Sequence, residues 1–176
     1  MVFYQVVPGS VGNGYGISTM SASGGDAKAL LDTPANELHA SLSPNGQWMA
    51  YASDQQSGRY EIFIQDFPAG TRRTQVSTNG GMQPKWRGDS KELYYLQSDG
   101  TLMSVAIGAG AAVDAAMPRA LFKGPGPKVL DPYRSDYEPA SDGQRFLMKV
   151  PASTSRPNAI TVVLNWTALL AKQAGS

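Results

Sequence analysis

The sequence predicts an all-β fold: a partial β-propeller of four-stranded antiparallel blades, about three blades' worth. Three observations predict it. The stretch Ala40-Ser41-Leu42-Ser43-Pro44-Asn45-Gly46-Gln47-Trp48-Met49-Ala50-Tyr51-Ala52-Ser53 reads as strand, tight turn, strand. Copies of it return at Gln83–Leu96 and Tyr137–Met148, at intervals of 44 and then 53 residues, counted from Asn45 to Asp89 to Asp142. A repeat of about 40–45 residues with four short strands per unit is the signature of a propeller blade.

The elements follow in chain order. Residues 1–7 read as an abrupt first strand, matching by pattern the second strand of a later blade, Met49 to Ser53. Residues 8–13 are a Pro/Gly/Ser/Asn loop, and short strands follow at 15–20 and 27–31 around the turn Ser23-Gly24-Gly25-Asp26. In the unit at 38–53, proline presets one φ and Asn-Gly tolerates the positive φ of a hairpin turn. In Arg59–Phe67, Tyr60, Ile62 and Ile64 fall on one face by alternation. Pro68-Ala69-Gly70 turns the chain into a polar outer strand, 71–77. The next unit repeats this order with strands near 83–87, 92–97 and 101–107. Gly108 to Pro118 reads as a surface loop that lengthens the second interval, before an outer strand at 119–122. Gly124-Pro125-Gly126-Pro127 is a rigid loop. The last unit places strands near 135–140, 144–150 and 159–166, with a linker from Pro151 to Pro157. Asn165 as N-cap and Gly175 beyond the end predict a short C-terminal helix. The organisation is one domain, 1–176: a partial blade at 1–35, blades at 36–80 and 81–125, a partial blade at 132–166 and the helix at 166–174.

Composition narrows the function classes. Hydrophobic residues make up 41% and charged residues 16%, with 19 glycines and 12 prolines, which suits an ordered chain with many turns. The net charge of +1 provides no basic field for nucleic acid. There is no cysteine, so disulfides, thiolate chemistry and cysteine metal sites are excluded. The start Met1-Val2-Phe3-Tyr4-Gln5-Val6-Val7 lacks a basic leader. The longest apolar candidate, Ile160 to Ala171, is broken by Asn165 and Thr167, so no membrane insertion is expected. The compartment, periplasmic or cytoplasmic, stays open.

Each feature that hints at chemistry has a structural reading beside it. His39 is the only histidine and would have to serve any Ser/His/Asp triad, but no Gly-x-Ser-x-Gly elbow exists. One histidine without cysteine also disfavours zinc. Asp54, Asp66, Asp89, Asp99 and Asp142 recur in turns without an Asp-x-Asp-x-Asp-Gly calcium loop, so they read as caps on backbone N–H groups. Gly12-Asn13-Gly14-Tyr15-Gly16 lacks the Lys-Ser/Thr and helix of a phosphate cradle and reads as a flexible loop. Lys85, Arg87 and Lys91 surround one turn, either as an anion site or as a solvated rim. Trp48 and Trp86 lie on patterned strands and read as blade core rather than stacking platforms. Asn165-Trp166-Thr167 fits a glycosylation sequon, a triplet common by chance. The reading therefore assigns no catalytic, cofactor-binding or metal-binding residue and no cofactor.

Leu42-Ser43-Pro44-Asn45-Gly46-Gln47-Trp48-Met49-Ala50-Tyr51-Ala52-Ser53 resembles the TolB-type, WD-like β-propeller repeat. Its hallmark is a strand, then Ser-Pro-Asp-Gly, a basic residue, and a strand like Ile-Ala-Phe-x-Ser. Trp86-Arg87-Gly88-Asp89-Ser90-Lys91-Glu92-Leu93-Tyr94-Tyr95 matches with Ser90 in the glycine place, and Ser141-Asp142-Gly143-Gln144-Arg145-Phe146-Leu147 matches without the proline. Gly58–Ile64 looks like the third strand of the same repeat. The resemblance covers about residues 14–166. The tail Ile160–Trp166 also resembles the C-terminal propeller region of bacterial sensor proteins, such as propeller-bearing serine/threonine kinases. This chain has no glycine-rich phosphate loop, His-Arg-Asp loop or Asp-Phe-Gly. The resemblance implies a non-catalytic propeller module for protein–protein interaction or ligand sensing, cut from a larger protein. The alternatives are the accessory propeller of a kinase or serine peptidase, or a periplasmic TolB-like envelope component. The implied partners are another protein or the missing propeller blades, with self-association as a further route.

Overall fold

The computed structural model describes residues 2–6, 14–56, 58–108, 110, 113–125, 133–150 and 161–164. Fourteen strands form four antiparallel sheets among these residues. The first sheet holds β1 (Val2–Val6), β2 (Gly16–Met20) and β3 (Lys28–Leu31). The second holds β4 (Glu37–Leu42), β5 (Trp48–Ser53), β6 (Glu61–Asp66) and β7 (Arg73–Gln75). The third holds β8 (Met82–Trp86), β9 (Glu92–Leu96), β10 (Thr101–Ala106) and β11 (Arg119–Lys123). The last holds β12 (Tyr137–Pro139), β13 (Arg145–Met148) and β14 (Thr161–Leu164). Every pairing joins neighbours in sequence, so each sheet is a meander and the whole is a partial propeller. No helix occurs among the described residues; the expected helix at 166–174, the linker at 151–157 and the sequon at Asn165 lie outside them.

Three apolar clusters glue the four sheets face to face. Ile17 meets Met49, Tyr51 and Phe63 between the first and second sheets. Trp48, Ala50, Ile62 and Ile64 meet Trp86, Leu93, Tyr95 and Val105 between the second and third. Tyr94, Leu96 and Leu102 meet Tyr137, Phe146 and Met148 between the third and last. Strand alternation explains the division, because successive side chains point to opposite faces. Alternation in β6 marks Ile62 and Ile64 as one apolar face. The structure buries Phe63 and Gln65 on the other face as well, because each inner blade has a neighbour on both sides. Trp48 and Trp86 are buried, and the Trp86 Nε1–H donates to the Ser41 carbonyl of the preceding blade at 3.0 Å.

The turns repeat one device. The side-chain oxygen of Asn45, Asp89, Asp99 and Asp142 each accepts the backbone N–H two residues on, at Gln47, Lys91, Thr101 and Gln144. This is the Asx-turn geometry that the turn carboxylates lead one to expect. At the apex, Gly143 takes φ 70° and packs so tightly that a Cβ would sit 2.2 Å from the Tyr94 hydroxyl. Ser90 takes the equivalent place in the third blade at φ 63°, and its hydroxyl accepts the Asn45 N–H at 3.0 Å. The serine costs backbone strain and stitches the second blade to the third in exchange.

The stretch Gly108–Pro118 departs from a plain surface loop. Ile107 bridges to Ala115, and Gly108 N–H and Ala116 N–H donate to Asp114 and Ala106 carbonyls at 2.7 and 2.9 Å. Val113 and Ala115 pack on the central cluster, so this insertion extends a hairpin of the blade. Its small residues hide that pairing, since Ala and Gly carry no strand pattern.

Candidate functional site

The innermost strands β4, β8 and β12 lie side by side, and their inward residues form one polar strip. The repeat intervals place His39, Gln83 and Asp136 at one equivalent position, and Ser41, Lys85 and Glu138 two residues on. In β4 and β8 the pairing slips there, between Leu38 and Ser41 and between Met82 and Lys85. His39 and Gln83 sit within these bulges at φ 57° and 58°. Left-handed backbone at a non-glycine residue costs about 1–3 kcal/mol. Bulges of this kind re-aim side chains, and here they turn two polar residues out of the ladder.

The strip is tightly bonded at its third and last blades. Gln83 Nε2 donates to Asp136 Oδ2 at 2.9 Å, and the Asp136 N–H donates to Gln83 Oε1 at 2.7 Å. The Tyr137 hydroxyl donates to the Gln83 carbonyl at 2.9 Å, and burial pushes that phenol well above its ordinary pKa. Asp136 is 2% exposed, with Lys149 Nζ 3.2 Å from its Oδ1. Lys85 Nζ lies 2.9 Å from Glu138 Oε2. Between β4 and β8 a cleft of about 100 Å³ opens, lined by His39, Ser41, Gln83, Pro84, Lys85 and Ser135. It offers an imidazole, two hydroxyls and an ammonium to a small polar group. No group of three His, Asp or Glu side chains placed to hold a metal occurs among the described residues.

The remaining sequence candidates do not gather here. Arg87 is taken up by Asp89, through Nε and Nη2 at 2.8 Å each, and by Glu92 at 2.6 Å through Nη1. Those bonds hold the Asp89 carboxyl down at about 2 and raise the guanidinium further above its usual range. Lys85, Arg87 and Lys91 therefore do not form one anion site; Lys85 serves the strip and Arg87 the turn. Asp54 accepts from the Asn36 N–H and side-chain amide at 2.8 and 2.6 Å. Asp66 accepts from the Arg72 N–H at 2.7 Å. Gly14 is a close-approach residue, since a Cβ there would meet the Ala35 carbonyl at 1.9 Å. Trp48 and Trp86 pack in the cluster between the second and third blades. The strip's members Ser41, Gln83, Ser135, Asp136 and Glu138 escape a motif search. Superposing the repeat units through His39 would have found most of them, because polar residues recur where an inner strand has no core to face.

No family model matches the sequence, and no curated protein does. Solved structures do. One is a protein of Agrobacterium tumefaciens described as a TolB, at 16% identity and a TM-score of 0.54 over 84% of this chain and 51% of that one. The chain has a TolB-like propeller fold. A TolB from Acinetobacter baumannii matches at 14% identity and a TM-score of 0.39, over 86% of this chain and 46% of that one. An oligogalacturonate lyase from Vibrio parahaemolyticus matches at 12% identity and a TM-score of 0.47, over 84% of this chain and 35% of that one. The chain thus spans about half the length of the first of these, or less in the others. In the TolB-like frame, β4, β8 and β12 are the strands nearest the propeller axis.

Proposed function

We propose that this chain is a non-catalytic binding module, an arc of a larger TolB-like propeller completed by further blades, and that it engages a protein or a sensed ligand along the axis-facing strip. The observation that carries this reading is the bulged pair His39 and Gln83. Two blades hold a non-glycine residue in left-handed backbone at the same repeat position, which aims a polar side chain at the cleft. At Gln83 the strain is offset by the two bonds to Asp136, so the reading rests chiefly on His39, whose bulge sets the imidazole in the cleft lining. The neighbouring Lys85–Glu138 pair gives the strip one accessible charge of each sign.

The test is a nuclear magnetic resonance screen of the ¹⁵N-labelled chain against short peptides and small polar compounds. Shifts should cluster on His39, Ser41, Gln83, Lys85 and Ser135. Binders whose shifts fall only on the outer strands would overturn the assignment of the strip. The non-catalytic part is tested separately, with hydrolase, transferase and kinase assays, which should show no turnover. A turnover that disappears in His39→Ala would make the strip an active site instead.

A further inference from the structure

A second buried group lies outside this strip, where the first blade is fastened to the second. Glu37 opens β4 and is 2% exposed. Its N–H donates to the Tyr15 carbonyl at 2.6 Å. Next to it, Asn36 accepts the Tyr15 N–H at 3.1 Å while held by Asp54. The Tyr15 hydroxyl in turn meets that of Tyr133, just ahead of the last blade, at 2.7 Å. These two residues thus seat the segment that leads into the first blade's β2. The Glu37 carboxyl is only half satisfied. Oε1 accepts from the Thr33 hydroxyl at 2.5 Å, whereas Oε2 is buried without a hydrogen-bond partner among the described residues.

We propose that Glu37 is a pH-responsive fastener, whose carboxyl holds the first blade tightly on the second when protonated and loosens it when ionised. A buried carboxylate oxygen without a donor is costly, and opening the joint to water relieves that cost. The neutral acid carries less of this penalty and gains an O–H donor. The charged neighbours are Asp54 after β5, Asp32 after β3 and Arg73 on β7, with the Tyr51 phenol of β5 also near. The two carboxylates disfavour a third negative charge and Arg73 favours it. Burial is the largest influence, and the net effect raises the Glu37 pKa above its ordinary 4.5. A raised value in the closed state means that its stabilising contribution is complete below the ordinary pKa. That contribution is lost as pH rises through the closed-state value.

Amide hydrogen exchange on the full chain at pH 5 and 7.5, corrected for intrinsic rates, tests this. Protection at Tyr15, Ile17 and Glu37 should fall with rising pH, by less than tenfold for each unit by which the closed-state pKa exceeds the ordinary one, because part of the contribution is already lost at pH 5. In Glu37→Gln the same amides should keep pH-independent protection, at least equal to the parent's at pH 5. Equal pH dependence in parent and variant would overturn the proposal. Should the variant fail to fold, carbon-13 titration of the Glu37 carboxyl in the parent decides. A midpoint above 4.5 supports the fastener, and one at or below it rules the fastener out.

Discussion

Gln83 and Asp136 bind each other twice across the boundary between the third and last blades, side-chain amide to carboxylate and backbone N–H to side-chain carbonyl. Both residues are almost completely buried. Truncating Gln83→Ala strands a carboxylate oxygen and an N–H at once, each costing about 1–3 kcal/mol. We expect a fall of roughly 2–4 kcal/mol in unfolding free energy, read from urea titration with an unchanged slope. A loss under 0.5 kcal/mol would mean that water replaces the pair and that the strip's polar residues are not structurally fixed.

The two tryptophans test the stacking of the blades. Trp48→Ala and Trp86→Ala should each cost about 3–5 kcal/mol, as large buried aromatics do. Trp86→Phe should cost less but more than a simple change of size, because the Ser41 carbonyl then loses its indole donor. Thermal melts of all three check this; parent-like melting of both alanine variants would place the indoles on the surface.

These residues also show what the sequence could and could not convey. The Ser-Pro-Asn-Gly turn, the 44-residue interval and the aromatic strands were legible because turn chemistry and period-2 patterning are local. The burial of both faces of β6 was not, since Phe63 and Gln65 are covered only by a separate sheet. His39 was visible as a lone histidine, yet its partners on the strip lie 44 and 97 residues away by repeat position. The bulges that aim His39 and Gln83 leave no mark in composition, because they come from a register slip in pairing.

Ser90 separates strain from stitching. Ser90→Gly removes the cost of φ 63° and also the hydroxyl that accepts the Asn45 N–H, so the two effects nearly cancel, within about 0.5 kcal/mol. Ser90→Ala keeps the strain and loses the bond, and should be destabilised by about 1 kcal/mol. Equal stability of the alanine variant and the parent would show that the inter-blade hydrogen bond is idle.

Asp89 gives an acid limb to the stability profile. Its carboxyl is held at about 2 rather than 3.8 by the Arg87 guanidinium, so folding favours the ionised form. That contribution is present above 3.8 and is lost as pH falls towards 2. Comparing parent and Asp89→Asn by urea unfolding between pH 6 and 2 should show the gap between them closing at the acid end. A gap that stays constant would mean that the Arg87–Asp89 bonds persist in the unfolded chain or contribute nothing.

The last blade's outward face differs in chemistry from the matching faces of the second and third blades. Alternation turns Arg145, Leu147 and Lys149 away from the third blade, and all three are exposed. The corresponding rows are Trp48, Ala50 and Ala52 in the second blade and Glu92, Tyr94 and Leu96 in the third, and those are buried. A single leucine between two cations, which are paired with Asp142 and Asp136 at 3.7 and 3.2 Å, provides little apolar area, and covering those pairs carries a desolvation penalty. On the proposed reading, a blade packed on this side should therefore meet these charged pairs with polar groups rather than an apolar face. On its own at low micromolar concentration, the chain should run as a monomer in light scattering at 150 mM salt. Arg145→Ala/Lys149→Ala, which removes both cations beside Leu147, should shift it towards larger species. A parent that associates as strongly as the double variant would show that the cations do not guard this face.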